Sequence, residues 1–529
     1  MTSPSDADVA SSTTGRPARA GLVLTALLVA AVVCNINIAA ATVALPAIGA
    51  SFDASQTQLN LVGLGAGLGL AMSVLYFGAI ADRYGRKQLL VAGLVMTIVA
   101  SLMSALAPSI EFLILARVVT GLAAGMAYPT TLSLITALWR EGPSRTGAIA
   151  LWSGISGMAS VAGSIVAGVI LTVSTWNGVF LLSVPVALIG LVLVIAFIPS
   201  HVDESSEPVD HLGGVLSTIG IAAFVIGVGI VFAPGATAIG VVFIGAGIVF
   251  IAAFGLRQKA ARAPLYDLAV ARRRLFWAPA VAGTIAFGAL IGAMFVGEQF
   301  MQNILGYTPL LAGVAVVPAA VGLIIMAPIS ARVVTTSGTR PTMLIGYVLI
   351  LVAFATMLLW REGTAYLLIG IGFFAVGAGA SFVMTASSRS LTGSTPVRRV
   401  GMASATSDLQ NDLGGSVMQA LLGAVLAAGF SSRFAELINA SSEAGHVSGE
   451  VTRALQSSFA SAAHVAQRYP KLSGDIMEAA RQSLLAGAWG AYLIGAVAIV
   501  VGLVVVWFGL PRKTEEDALR ARYQTEDGA

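Results

Sequence analysis

The chain has 529 residues, of which 57% are hydrophobic and only 10% are charged, and its mean hydropathy is +0.89. A soluble domain carries about a quarter charged residues, and no globular core could bury this much apolar surface, so the composition excludes an ordinary soluble protein and indicates that most of the chain faces lipid. The net charge of +4 does not indicate nucleic-acid binding, because the positive residues lie in short loops between apolar runs.

The first apolar run follows Arg16 and Arg19 and has two interpretations. It resembles a signal peptide, with Ala39 to Ala41 imitating a cleavage site. The run from Gly21 is long, however, and many apolar segments follow it, so we interpret it as the first retained span.

Apolar segments of membrane-spanning length recur along the whole sequence. Two charge-free stretches are too long for one crossing and contain the turn signals "STWNG" and "APGAT", so each is predicted to be a helical hairpin. We predict fourteen transmembrane helices near residues 20–45, 58–81, 88–107, 110–138, 146–173, 178–199, 212–232, 237–256, 277–300, 309–328, 341–360, 364–388, 402–430 and 484–510.

The positions of Lys and Arg predict the orientation. With a cytoplasmic N-terminus, 22 of the 29 basic residues fall in inside segments, and the short outside loops hold only Arg361. We therefore expect both termini in the cytoplasm and the protein in the cell membrane. The outer loop 431–483 has helical periodicity, and it is either a small outer cap or a disordered connector.

The predicted fold class is an all-α integral membrane protein with two six-helix bundles and two extra central helices. Equal halves are typical of a rocking transporter with its site between the bundles near mid-membrane. The predicted segments are a cytoplasmic tail 1–19, a first bundle 20–199, an acidic hinge 200–211, an inserted helix pair 212–256, a basic loop 257–276, a second bundle 277–510 and a cytoplasmic tail 511–529.

Cysteine and histidine offer no metal or disulfide chemistry. The lone Cys34 lies in the first span, and the four histidines, which fall in loops, lack ligand spacing. We predict no metal and no cofactor. With no histidine in any predicted span, an integral-membrane enzyme is disfavoured, although an aspartate pair could in principle serve lipid chemistry.

The loop "GAIADRYGRK" after the second span crowds four charges into six positions. It resembles the signature loop of the major facilitator superfamily, and the resemblance implies a gating role for it. A glycine allows close helix packing or a tight turn, and an aspartate at a helix end can pair with a neighbouring helix when the inner gate is shut. The alternative is a cytoplasmic turn whose positive charges only follow the positive-inside rule. It would explain the arginines but not the aspartate and the two glycines. The gating residues are Gly78, Asp82, Arg83, Gly85, Arg86 and Lys87.

Other stretches resemble the fourteen-span drug:H⁺ antiporter family, which expels drugs, dyes, amino acids, siderophores or lipids in exchange for protons. The resemblance implies a proton gradient as the energy source. The stretches are "TVALPAIG", "LILARVVTGLAAGMAYP", "VDHLGGVL", "PLYDLAVARRRLFW" and "QNILGYTPLLAGVAVVP".

Three positions depart from that family's pattern. Asn37 stands where the first span usually has an aspartate, and Asn411 where span thirteen usually has an arginine. Span five lacks the proline of the antiporter signature, and it keeps a small-residue face for helix packing made of Gly154, Gly157, Gly163 and Gly168.

Ionisable groups inside the hydrocarbon are functional candidates by default, and we assign proton coupling to Arg117, Glu298, Asp408 and Asp412. On span thirteen, one helical face holds the polar and small residues Ser404, Asp408, Asn411, Asp412, Gly415 and Gln419. Asp412 is predicted ~16 Å deep, where two carboxylates one turn apart disfavour double ionisation. Such a pair is expected to carry protons, unless the helix begins later and the pair is solvated at its inner end.

The other two charges have open interpretations. Glu298 is a gate, a proton relay or an interfacial carboxylate. Arg117 pairs across the cavity with Glu298, meets an anionic substrate group, or is a structural arginine held by backbone carbonyls and Asn35.

The predicted substrate cavity suits amphipathic small molecules, although its tryptophan could instead face lipid. Its lining is assigned to Asn35, Asn37, Trp152, Gln302, Asn303 and Asn411. The sequence thus favours a monomeric proton-coupled exporter that contacts small molecules, protons and the lipid bilayer, and no nucleic acid. The alternatives are a facilitator or symporter of the same fold for a metabolite or lipid, and a non-transporting scaffold or sensor.

Overall fold

The structure is a computed structural model, and its described part is entirely helical, without a β-strand. The predicted N-terminal tail and most of the acidic hinge lie outside the described residues. Those residues are 17, 19–140, 143–200, 208–233, 235–396, 400–441 and 448–528.

The first six predicted spans are all helical. Pro185 lies just after a break in the sixth span, because a proline cannot donate the backbone hydrogen bond that would continue the helix. The helices are α1 Ala20–Phe52, α2 Gln56–Tyr84, α3 Arg86–Ala105, α4 Ile110–Leu138, α5 Pro143–Val173, α6 Trp176–Leu181 and α7 Ser183–Phe197.

The remaining spans are helical as well, and Pro318 accompanies a similar break between α12 and α13. The helices are α8 His211–Ile230, α9 Thr237–Ala260, α10 Leu268–Ala271, α11 Arg274–Asn303, α12 Pro309–Ala315, α13 Val317–Ser337, α14 Thr339–Met357, α15 Tyr366–Gly393, α16 Val400–Ala440, α17 Gly449–Ser457, α18 Phe459–Arg468, α19 Ser473–Gly509 and α20 Lys513–Gly528.

Thirteen helices of the described part, counting α6–α7 and α12–α13 as one span each, are long and apolar enough to cross a membrane. The fourteenth span is α5, a continuous helix of 31 residues. The predicted fold class is confirmed. We call the face where α1 begins and α20 lies the inner face, and the opposite one the outer face.

Small residues allow the helices of each bundle to pack closely. Gly69 of α2 lies against the backbone of Val118 in α4, and Gly121 of α4 lies against the backbone of Ala66. No side chain larger than hydrogen fits at these crossings.

The inserted pair packs where the two bundles meet. Ile221 and Val225 of α8 share a buried apolar cluster with Leu68 of α2 and Ala420 of α16. Because α2 belongs to the first bundle and α16 to the second, α8 covers one lateral seam between them, while α9 is mostly exposed and faces lipid.

The described part of the outer loop forms two short amphipathic helices, α17 and α18, as a helical cap would. Leu455, Ala462 and Val465 are buried in the same apolar core as the outer ends of the spans. Ala460 of α18 lies against Gly49 of α1, so the cap, which belongs to the second half of the chain, also contacts the first bundle.

Candidate functional site

The two aspartates of α16 point into the central cleft between the bundles. Both are half-buried, and from the start of α16 at Val400 they lie ~12 and ~18 Å along the helix. Farther along that face, the Cβ position of Gly415 lies 3.3 Å from the side chain of Ile291 in α11, and Gln419 lies 2.9 Å from the Cβ position of Gly63 in α2. Asp408 and Asp412 therefore face the gap between α2 and α11. The side chain of Ser404 lies outside the described residues.

Tyr128 of α4 faces this pair from the first bundle. Its hydroxyl is within electrostatic range of Asp408 and Asp412, and it neighbours the polar side chains of Asn35 and Ser156. Asn35 is half-buried and donates to the carbonyl of Ala31 at 2.9 Å. The cleft thus has carboxylates on one wall and a phenol with an amide on the other.

Trp152 lies directly behind Tyr128 and does not face lipid. Its Nε1–H donates to the Thr131 hydroxyl at 2.9 Å, and its ring centroid lies 5.1 Å from that of Tyr128. It is 7% exposed, so it supports the wall of the cleft rather than lining it openly.

Arg117 is fully buried inside the first bundle. Its guanidinium donates to the backbone carbonyl and side-chain oxygen of Asn37 at 3.1 and 2.9 Å, and it lies over the Phe180 ring at 5.4 Å. Asn37 in turn donates to Ser101 at 2.8 Å. The predicted pairing with Glu298 is not present in this structure. The arrangement matches the alternative of a structural arginine, with Asn37 rather than Asn35 as its holder.

Glu298 lies in a seal between the bundles near the outer face. It is 2% exposed, so it is not an interfacial carboxylate, and Thr42 of α1 is its polar neighbour. Beside it, Gln56 donates to Gln299 at 2.6 Å, and Gln302 donates to the carbonyl of Val43 at 3.3 Å. These bonds join the two bundles and close the outer end of the cleft.

The predicted cavity lining is only partly correct. Asn35 and the half-buried Asn411 belong to the region of the aspartates. Asn37 is used by Arg117, and Gln302 lies in the outer seal. Asn303 lines a separate depression on the outer surface with Glu362 and Arg481, because the last turn of α11 rotates it away from the cleft.

The signature loop makes contacts within the first bundle. Asp82 near the end of α2 pairs at 3.0 Å with Arg86, the first residue of the next helix, α3, and Lys87 donates to the carbonyl of Ile198 at 2.6 Å at the end of α7. Gly85 has a φ of 112° and forms the predicted tight turn. The expected close packing at Gly78 is absent, since no atom lies within 4 Å of its Cβ position. Arg83 is exposed.

The small-residue face of α5 packs through its outer half only. The Cβ position of Gly163 lies 3.0 Å from the backbone of Ile36 in α1, and that of Gly168 lies 2.5 Å from the backbone of Leu310 in α12, so neither site has room for a side chain. Nothing lies within 4 Å of the Cβ position of Gly154, so the packing prediction is wrong there. The surroundings of Gly157 lie outside the described residues.

Several polar residues of the site were not predicted. Tyr128, Thr131 and Ser156 line or support the cleft, and Thr42, Gln56 and Gln299 belong to the seal. The available signal was weak: hydroxyl and amide groups in otherwise apolar spans, with Tyr128 next to a helix-interior proline, Pro129.

Two helical bundles around a polar cleft, sealed at one end, define a secondary transporter. The Major Facilitator Superfamily sequence model matches residues 27–298 and 279–442. The chain belongs to the major facilitator superfamily, and the resemblance drawn from its motifs is confirmed.

The relatives of the chain include several resistance and efflux proteins. Over 497 residues, covering 94% of this chain and 97% of that protein, it is 31% identical to "Multidrug efflux pump LfrA" of Mycolicibacterium smegmatis. It is 27% identical to "Tetracenomycin C resistance and export protein" of Streptomyces glaucescens (90% and 88% covered). It is 26% identical to "Methyl viologen resistance protein SmvA" of Salmonella typhimurium (89% and 94% covered).

Solved structures share the fold. A bacterial homologue of the human lysosomal transporter Spinster, inward-facing and unoccupied, superposes with a TM-score of 0.63 at 15% identity, covering 93% of this chain and 98% of that one. A peptide transporter POT in complex with sulfate gives 0.62 at 14% identity, covering 92% and 94%.

Proposed function

We propose that the protein is a proton-coupled exporter of amphipathic small molecules that works by alternating access. The observation that carries the proposal is the pair Asp408 and Asp412, half-buried one helical turn apart in the cleft between the bundles. Carboxyl groups placed in this way exchange protons more readily than they hold a permanent charge.

The pair can serve both proton and substrate. When the cleft opens outward, the carboxyl groups take up protons, and when it opens inward they release them. An arriving substrate then competes with protons for the same carboxylates, so the two cross the membrane in opposite directions. No bond in the substrate is made or broken, and the energy comes from the proton gradient alone.

The lining of the cleft supports a substrate with an apolar or aromatic body and a polar group. Tyr128 offers a ring backed by Trp152, and Asn35 offers hydrogen bonds. The names of two relatives, a methyl viologen resistance protein and a tetracenomycin C resistance and export protein, supply two probes.

We place the protein in the cell membrane with both termini in the cytoplasm. The distribution of basic residues supports this orientation, since 22 of the 29 Lys and Arg residues fall in the sequence segments predicted to lie inside. One chain supplies both walls of the cleft, so a monomer suffices.

Transport by purified protein in proteoliposomes tests the proposal. An imposed pH gradient should drive methyl viologen or tetracenomycin C against the proton flow. In Asp408→Asn/Asp412→Asn, gradient-driven transport should disappear, because amides cannot carry protons. Counterflow at saturating substrate should continue with a higher KM, because the amides keep polar contacts in the cleft and counterflow needs binding and rocking but no net proton movement. Gradient-driven export that persists in the double variant would reject the assignment of proton coupling to Asp408 and Asp412.

The same assay distinguishes the proposed exporter from the second candidate, a facilitator or symporter of the same fold. Substrate moving together with protons would identify a symporter, and movement insensitive to the gradient would identify a facilitator. Either result would reject export by proton exchange and leave the fold assignment intact.

A further inference from the structure

Tyr128 occupies a rigidly supported position on the wall opposite the aspartates. Its ring packs on Trp152 with centroids 5.1 Å apart and an interplanar angle of 33°. Trp152 is itself fixed by its hydrogen bond to Thr131 at 2.9 Å. The Trp152 ring, fixed by one buried hydrogen bond, therefore holds the phenol in place from behind.

The depth of the phenol matches that of the carboxylates. Tyr128 lies ten residues before Leu138, the inner end of α4, which is ~15 Å along the helix. Asp408 and Asp412 lie ~12 and ~18 Å from the inner end of α16. The phenol and the two carboxylates thus lie at comparable distances along their helices, and Tyr128 is within electrostatic range of both acids.

Among the described residues, the titratable groups around the pair are few. The charge of Asp408 acts on Asp412, and no described basic side chain contributes to the electrostatics of either aspartate. The first bundle contributes the phenol of Tyr128. The second half contributes Tyr266, whose hydroxyl accepts from Thr406 of α16 at 3.4 Å, below Asp408; burial raises the pKa of this loop phenol.

We propose that Tyr128 is a positioning residue for proton coupling: its hydroxyl donates across the cleft to the ionised aspartate pair and stabilises the form that accepts substrate. The inference rests on the proposed function, because it concerns the same pair. An ionised carboxylate accepts a hydrogen bond more strongly than a neutral one. With the ring held in place, rotation of the O–H about the C–O bond lets the hydroxyl donate to the pair after proton release. When the pair is protonated, the hydroxyl interacts with Asn35 and Ser156 instead.

This exchange of partners links the two bundles chemically. The carboxylates belong to α16 of the second bundle and the phenol to α4 of the first, so the first bundle senses whether the second carries protons. Aspartates alone would hold protons without any such contact.

The variant Tyr128→Phe keeps the ring and removes only the hydroxyl. Infrared difference spectroscopy of purified protein follows the carboxylic-acid C=O band during a pH titration, and the component that disappears in Asp408→Asn/Asp412→Asn reports the pair. In Tyr128→Phe the titration midpoint of this component should move to higher pH by about one unit, because the ionised form has lost a charge-assisted hydrogen bond.

The control is Tyr266→Phe, which removes the phenol hydroxyl that contacts α16 from the inner loop. The titration midpoint of the pair in this variant should equal that of the wild type. A Tyr128→Phe midpoint equal to the wild type, in protein that elutes as a folded monomer, would overturn the inference and leave the proposed function standing. Absence of any titrating pair in the wild type would contradict the proposed function itself.

A second measurement excludes a merely structural role. Methyl viologen counterflow in proteoliposomes should show the same upward shift of its pH midpoint in Tyr128→Phe, with the maximal rate retained. In the Asp408→Asn/Asp412→Asn background, Tyr128→Phe should have no further effect. A uniform loss of rate at every pH in both backgrounds would mean that Tyr128 acts on packing alone.

Discussion

Arg117 carries its charge inside the first bundle, where it is held by an amide and an aromatic ring. The guanidinium is fully buried, and the side-chain oxygen of Asn37 accepts from it at 2.9 Å. A buried charge needs such partners, because leaving one unsatisfied costs more than the hydrogen bond itself contributes. In this protein Arg117 therefore organises α1 against α4 rather than meeting the cleft.

This role predicts the effect of changing its partner. Asn37→Leu should lower the free energy of unfolding by about 1.5–3 kcal/mol, since it removes a hydrogen bond to a charged group. Asn37→Asp, which keeps the oxygen acceptor and adds a compensating charge, should remain at least as stable as the wild type. Thermal unfolding midpoints in detergent measure both; a Leu variant as stable as the wild type would contradict a structural Arg117.

At the residue scale, sequence identified the acids but not their partners. The three- and four-residue spacing along span thirteen places Asp408, Asp412 and Gln419 on one face, and they lie there. The partners Tyr128 and Thr42 could not be found in this way, because they come from helices more than 250 residues away in the chain. Which side chain faces another across the cleft depends on the rotation and register of separate helices, and local periodicity carries no information about either.

At the scale of elements, helix α5 forms part of the outer closure of the cleft. Gly168 lies against the backbone of Leu310 in α12, and Gly313 of α12 lies against the backbone of Ser164. Opening outward must separate these backbones, so small residues here allow the closed state to form.

A larger side chain at Gly168 should therefore favour the outward-open state. In a Cys34→Ala background with Gln56→Cys as reporter, Gly168→Leu should increase labelling by a membrane-impermeant maleimide roughly tenfold. Gly154→Leu is the matched control, because Gly154 lies on the same helix with no atom within 4 Å of its Cβ position. Equal labelling in the two variants would show that α5 and α12 do not form the closure.

The elements themselves were largely predictable. Hydropathy located every span, because a membrane helix must satisfy its backbone internally and cover ~30 Å with apolar side chains. The lengths were less predictable: α16 has 41 residues and α19 has 37. Both helices extend beyond the predicted outer ends, where contact with the cap rather than with lipid decides where they stop.

At the scale of the whole molecule, two bundles share a cleft whose outer end is closed. The seal joins α2 to α11 through Gln56 and Gln299, and the inserted helix α8 covers one seam beside it. In the mechanism we propose, rocking of one bundle against the other exposes Asp408 and Asp412 to each side in turn. Antiport follows only if proton and substrate cannot occupy these carboxylates together.

Proton release on substrate binding tests this exclusion most directly. Purified protein in weakly buffered detergent solution, with a pH indicator present, is mixed with methyl viologen at a pH where the pair holds a proton. We expect the wild type to release roughly one proton for each methyl viologen molecule bound. Asp408→Asn/Asp412→Asn protein that still binds methyl viologen should release none. Equal release from both proteins, or binding to the wild type without any release, would contradict this exclusion.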